Sequence, residues 1–373
     1  MIYNVLRLNN NRGDKMGLDI FTSISGFRVT SRDVWEETRK REIYTLFENL
    51  VYGAAPIGRP EGMEFSVEEI HREHHILQKK ITITFMGYKM GADLFLPEGN
   101  VQKLPTFLMS MHEYEIDLCD IDKELDFEIV PIPDIVGRGY AVAIMKTTCI
   151  CQDYWRQGPY KTGIFDLVKH TGKDNYWSIL ASWAWGLSRV MDYLETDKDI
   201  DKDKVIVLGH SRSGKTALWA AASDSRFAMA VSNDSGCSGA AYTRGKKGEH
   251  IKDINDATGW FCENYKMYND NEHMLPVDQH MLLAIIAPRP LYVASSSLDE
   301  WADPSAERAS CRMANQAYYL YGMKGAVLPA EDKVEMDMPY HEGMIGYHCK
   351  TGEHSITRYD WKCFMDFADK RVK

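Results

Sequence analysis

Positive charge is in short supply in this chain. Its 373 residues hold 44 Lys and Arg against 54 Asp and Glu, a formal net charge of −10. Phosphate backbones are bound mainly through Lys and Arg, so this balance, with no basic run to offset it, argues against a nucleic-acid partner. No apolar run approaches the roughly 18 residues that a membrane helix needs, so no membrane span is expected. The opening MIYNVLRLNNNRGDKMGLDI contains no apolar stretch of the kind that marks a secretory signal. The eight cysteines (119, 149, 151, 237, 262, 311, 349 and 363) are scattered, with no C-x-x-C pair and no zinc-type spacing. In a chain long enough to bury its own core, free buried thiols are the expectation. Repeats and low-complexity linkers are lacking as well.

What remains is ordinary globular composition, 45% hydrophobic and 26% charged. Residues 1–40 are polar and mixed, and read as an N-terminal arm or extra helix. SRDVWEETRKREIYTLFENLVYGAAP follows as a capped helix ending before Gly53 and Pro56. ILQKKITITFMGYKMGADLFLPEG alternates in the manner of a hairpin, while LPTFLMSMH, YAVAIMKT, KVIVLGH, RFAMAVSND and RPLYVASSS are short apolar runs typical of buried strands. Helical spacing marks WSILASWAWGLSRVMDYLET, SGKTALWAAAS, PVDQHMLLAIIA and the tail YDWKCFMDFADKRV. Strands alternating with helices predict an α/β fold over 41–373, one domain with a mostly parallel central sheet flanked by helices on both faces.

One loop carries two incompatible chemistries. In VIVLGHSRSGKTALWAAA, residues Gly209, Gly214, Lys215 and Thr216 satisfy the G-x-x-x-x-G-K-[ST] pattern of a phosphate loop, for which Asp234 would be a magnesium-ligating partner. The same letters place Ser211 on a strand-to-helix turn, where a hydrolase exposes its nucleophile, although the fifth position of G-x-S-x-G is Ser213. A serine hydrolase also needs a histidine base, a carboxylate that orients it, and oxyanion donors. The chain supplies these in the α/β-hydrolase order: Ser211, then Asp299 after RPLYVASSS, then His354 before the last helix. The backbone N–H of Arg212 is a candidate oxyanion donor.

GHSRSGKTALWAAASDSRFAMAVSNDSGCSGAA resembles the signature of the glucuronoyl esterases, carbohydrate esterase family 15, whose elbow reads G-[CH]-S-R-x-G-K. In that family the position of Ser213 varies. The likeness continues through WAWGLSRVMDYLET, WFCENY, LPVDQHMLLAIIAPRPLYVAS, DEWADP (299–304) and GEHSITRYDW, and covers roughly residues 40–370. It implies an α/β-hydrolase fold and a serine esterase that cleaves 4-O-methyl-glucuronoyl esters joining glucuronoxylan to lignin alcohols, with no metal and no cofactor. It further implies that the Arg212 guanidinium stabilises the oxyanion, and that Lys215, Glu249 and Trp301 hold the uronate sugar. Asp299 matches the first residue of the family's D-x-W-A-D-P block, whereas Asp234 falls where fungal members carry a glutamate. Asp299 is preferred as the acid and Asp234 stays the alternative, with Glu300 and Asp303 behind them. His210 is read as pointing away from the nucleophile, His280 and Trp260 as packing, and His341 and His348 as cleft-lining residues. An acetylxylan or other carbohydrate esterase with the same triad is the competing activity, and a phosphate-loop protein the more distant one. The resemblance implies an extracellular or periplasmic protein, although no export signal is visible in the chain itself, and a monomer is expected.

Overall fold

The computed structural model describes residues 18–153 and 162–373. A single nine-stranded sheet has the order β1-β2-β3-β5-β4-β6-β7-β8-β9. Its strands are β1 Glu64–Arg72, β2 Ile76–Phe85, β3 Tyr88–Pro97, β4 Leu104–Met111, β5 Ala141–Lys146, β6 Ile200–His210, β7 Met229–Asn233, β8 Leu291–Ser296 and β9 Ile345–Lys350. The β1/β2, β2/β3 and β3/β5 pairings are antiparallel; the other five are parallel. The hairpin read from the sequence is β2–β3, turning at Met86 and Gly87, both at positive φ.

Six helical elements matter for the site: α1, a helical run over 32–52; α2 Ile179–Leu194; α3 Arg212–Ser223; α4 Gln279–Ile286; α5 Pro304–Tyr319; and α6 Arg358–Arg371. The central strands feed both faces of the sheet at once. In β6, Val205 and Val207 pack into the core under α1–α5, while Ile206 and Leu208 pack into a second core with Trp361, Phe364 and Phe367 of α6. In β8, Leu291 and Val293 take the first side, Tyr292 and Ala294 the second. Burial on both faces is why these strands read as unbroken apolar runs rather than alternating ones. Each fully buried Val, Leu or Ile contributes about 1.5–3 kcal/mol.

α1 begins at Ser31, whose hydroxyl accepts the Val34 N–H at 3.3 Å, and includes two wider π-type stretches, Trp35–Arg39 and Glu48–Tyr52. The helix passes through residue 40 without a break, and Ile20, Val29 and Trp35 belong to the main core. The described part of the segment expected as an arm or extra helix is therefore packed against the domain, with its last residues helical. All eight cysteines are free thiols, seven of them buried. No helix among the described residues is long and apolar enough to cross a membrane.

Chain order reverses in the middle of the sheet. From β4 the chain moves outward to β5, then returns to place β6 on the other side of β4. Crevices in open parallel sheets form outside the carboxyl ends of strands at such a switch. Ser211 follows β6 at this point.

Candidate active site

The turn after β6 is tight. Ser211 has φ 56° and ψ −126°, a conformation that costs a non-glycine residue about 1–3 kcal/mol, and its N–H donates to the Asn233 carbonyl at 2.8 Å. The crowding falls on Gly209, where an added Cβ would come within 2.0 Å of the Ser213 carbonyl oxygen. Gly214 is similarly close to the Gly209 carbonyl and the Ser235 side chain, each 3.0 Å from an added Cβ. Ser213 itself lies buried in the first turn of α3. A serine in place of the generic glycine is thus accommodated, because the tight approaches lie at its neighbours.

The same geometry disposes of the phosphate-loop reading. A phosphate cradle needs successive N–H groups turned toward an anion. Here the N–H groups of Gly214 and Lys215 go back to the Ser211 carbonyl at 2.9 and 3.2 Å, and that of Ser211 to Asn233. The Lys215 ammonium is buried, donating to the carbonyls of Ser235 and Cys237, both at 2.6 Å, and lying 3.4 Å from Glu249.

His354 stands on the loop between β9 and α6. Its Nδ1 is 2.6 Å from Asp299 Oδ2, and its ring centroid is 4.6 Å from that of His210, the residue before Ser211. The imidazole is 43% exposed, with Nδ1 taken up by Asp299. Burial pulls its pKa down, but the hydrogen bond and charge of Asp299, reinforced by the Asp234 carboxylate, outweigh that and hold it above the usual histidine value. Burial works on Asp299 in the opposite sense and is likewise outweighed by His354, so its carboxyl sits below the usual range. The second oxygen of Asp299 accepts the Ala302 N–H at 3.2 Å.

Asp234 is also close: one of its oxygens, one of Asp299 and a ring nitrogen of His354 lie within 4.8 Å of one another. Its bonds run elsewhere, however. Oδ2 accepts from the Ser296 hydroxyl at 2.7 Å and the Ser355 N–H at 3.3 Å, with the Lys350 ammonium at 3.5 Å. Burial pushes its pKa up to about 6 against the pull of Lys350 and His354.

Arg212 pairs with Asp153, and its guanidinium lies 4.8 Å above the Trp260 ring, whose Nε1 donates to Asp153 at 3.0 Å. Trp260 is buried packing, as the sequence suggested, and what it packs is this arginine. Glu249 donates its N–H to the Trp301 carbonyl at 2.9 Å, while the Trp301 side chain is 55% exposed. Lys215, Glu249 and Trp301 therefore come together beside the turn. Asp303 is taken up in capping α5, accepting the Ala306 N–H at 3.1 Å, and Glu300 is exposed.

Several histidines resolve differently. His210 is held by Asn233 at 2.6 Å, and burial, then the charge of His354, drives its pKa down to about 3, so it forms a neutral wall behind His354. His280 is packed, bonding the Leu18 carbonyl at 2.8 Å. His341 and His348, expected to line the cleft, instead bracket the buried Tyr292 hydroxyl, each 2.9 Å from it. Strand β9 carries His348 into the core, where it is fully buried.

Sequence reasoning missed three residues of this neighbourhood. Lys350 and Asp153 carry no motif. His112, at the end of β4, is buried beside Glu115; burial, then the charges of Arg212, His210 and His354, push it well below the usual histidine value. Burial lifts Glu115 to about 8 against its bond from the His112 N–H. The HEYE stretch after a buried strand was the available signal.

Comparison with known proteins identifies the family. A family model described as glucuronyl esterase, fungi, matches residues 128–322, just over half of the chain. Carbohydrate esterase MZ0003, from an unknown prokaryotic organism, is 35% identical over 389 residues, spanning 95% of this chain and 89% of that protein. A solved structure described as a promiscuous CE15 esterase from a marine bacterial metagenome superposes with a TM-score of 0.86 at 33% identity, over 97% of this chain and 98% of the other. The glucuronoyl esterase from Solibacter usitatus gives 0.85, also at 33% identity, over 95% and 97%. A relative matched along most of its length, together with a shared fold, leaves one assignment: this chain belongs to the glucuronoyl esterases of carbohydrate esterase family 15, which are carboxylic ester hydrolases.

Proposed function

We propose that the chain hydrolyses 4-O-methyl-glucuronoyl esters, of the kind that join glucuronoxylan to lignin alcohols, through an acyl-enzyme on Ser211. The observation that carries this reading is the His354–Asp299 pair, 2.6 Å apart, packed against the residue that precedes a serine held at positive φ. Ser211 Oγ attacks the uronoyl carbonyl and His354 Nε2 takes its proton. Asp299 stays ionised, fixing the tautomer and stabilising the imidazolium. The charge that develops on the carbonyl oxygen is met by Arg212, through its N–H and its guanidinium, which Asp153 and Trp260 hold in place. The carbon–oxygen bond to the alcohol breaks as His354 returns the proton, and water then releases the uronate by the same steps. Lys215, Glu249 and the exposed Trp301 face supply a charged donor, a charged acceptor and an apolar plate suited to a hydroxylated ring. The substrate is accordingly a carbohydrate ester, with the chain acting as a monomer.

Wild type is expected to cleave benzyl glucuronate, and Ser211→Ala to lose about 10⁴-fold or more in kcat/KM. A Ser211→Ala protein with full activity ends the proposal. A second reading, an esterase of the same mechanism with a wider acyl range including acetylated xylan, draws support from the relative described as promiscuous. Rates on an aryl acetate that match or exceed those on benzyl glucuronate would favour it.

A further inference from the structure

Two carboxylates flank one imidazole, yet only Asp299 bonds to it. Asp234, unlike Asp299, has a buried cation beside it. Lys350, the last residue of β9, is buried, and its ammonium donates to the Ser355 carbonyl at 2.7 Å and to the Ser296 hydroxyl. It lies 3.5 Å from Asp234 and 3.6 Å from Asp360. The pairing of β8 with β9 sets Ser296 opposite Lys350, and Ser296 passes its own proton to Asp234 Oδ2 at 2.7 Å. One oxygen of Asp234 is thereby taken up by the Ser296 hydroxyl, the Lys350 ammonium and the Ser355 N–H. The other oxygen, Oδ1, has no hydrogen-bond partner among the described residues. The ammonium also grips the 351–357 loop through Ser355, the residue next to His354.

We propose that Lys350 is a positioning residue of the triad: it holds Asp234 in an ion pair away from His354 and anchors the loop that carries His354, so that Asp299 alone orients the base. The inference rests on the esterase reading above. Two carboxylates within 4.8 Å of one imidazole compete for it, and a fixed cation bonded to one of them decides the competition. Removing the cation leaves Asp234 with only the Ser296 and Ser355 bonds, and once Asp299 is gone as well the His354 ring nitrogen within 4.8 Å is left without its carboxylate.

The test uses the full chain and benzyl glucuronate, with Asp299→Ala, Lys350→Met, the double variant, and the triple variant that adds Asp234→Asn. Asp299→Ala is expected to lower kcat by about 100-fold or more with KM changed little. In the double variant kcat recovers at least tenfold over Asp299→Ala, because Asp234 turns to His354, and the triple variant loses that recovery. Lys350→Arg combined with Asp299→Ala keeps the charge and shows no recovery. A lysine that is merely structural gives a double variant no better than Asp299→Ala, and that result overturns the proposal. Where Lys350→Met fails to fold, Lys350→Gln, which still donates to Ser355 but carries no charge, is read in the same way. Ser211→Ala measured alongside separates the two levels: full activity there sinks the esterase reading, whereas a dead Ser211→Ala with no recovery in the double variant sinks only the role of Lys350.

Discussion

Two histidines of the β9–α6 segment, a few residues apart, each pair with a carboxylate. His354 meets Asp299 at 2.6 Å and His348 meets Asp360 at 2.8 Å. As isolated pairs they have nearly the same hydrogen-bond length. Their settings are opposite. The His354 ring is 43% exposed and leans on the residue before the elbow, while His348 and Asp360 are wholly buried behind the sheet, tied to the Tyr292 hydroxyl and the cap of α6. A hydrogen-bonded pair alone does not make a base. His354 combines its carboxylate with exposure and a place beside the elbow; the buried pair uses both nitrogens internally and serves packing.

The comparison breaks most sharply at Asp299. Asn at this position keeps the shape but loses the charge and favours the wrong tautomer, so Asp299→Asn is expected to cost about 10²–10⁴ in kcat/KM on a glucuronate ester. The pH profile should move too. The base must be neutral, so activity rises with pH through the pKa of His354, which the wild type holds above the usual histidine value. Without the Asp299 charge that limb shifts to lower pH. A profile that keeps its position would remove Asp299 from the pair.

The buried pair should respond in stability rather than rate. His348→Ala strips Asp360 Oδ1 and the Tyr292 hydroxyl of their shared partner, and breaking a buried pair in this way costs about 3–5 kcal/mol. Urea unfolding should show that loss, with kcat/KM within about threefold of wild type while the protein stays folded. Collapse of activity at unchanged stability would place His348 in the chemistry.

The two pairs also differ in how far the sequence revealed them. The elbow was legible because its pattern is local: Gly209, Ser211 and Gly214 sit within six residues. Asp299 and His354 could be ordered along the chain, each after a late strand or before the last helix. The choice between Asp299 and Asp234 rested on the family block alone, because Lys350, which pairs with Asp234, is brought there only through the β8/β9 register. Strand β9, IGYHCK, escaped notice because its polar letters are satisfied by partners from other elements. β1, EFSVEEIHR, escaped as a charged edge strand, the composition that discourages pairing with other chains. Helix α5 was missed despite a readable start, Asp303 as cap and Pro304 at the first position.

The same contrast between paired and unpaired groups recurs among the carboxyls around β8. Asp299 faces an imidazole and is held low; Glu307, on α5, faces only the hydroxyls of Ser295 and Ser235 and the Gly236 N–H. Burial, with the nearby charge of Asp234, pushes its pKa up to about 8 from an ordinary 4.5. The sign follows from proton counts. Between those two values the folded protein holds a proton that the unfolded chain has released, so this group makes stability fall as pH rises, by about 1.4 kcal/mol per pH unit at most. Glu307→Gln cannot titrate and keeps most of the contacts. Urea midpoints at pH 5, 6, 7 and 8 should therefore decline less steeply in Glu307→Gln than in wild type, the two curves separating most at the alkaline end. Parallel curves would mean that Glu307 is already ionised in the fold, and that hydroxyls and one amide hold a buried charge as well as an imidazole does.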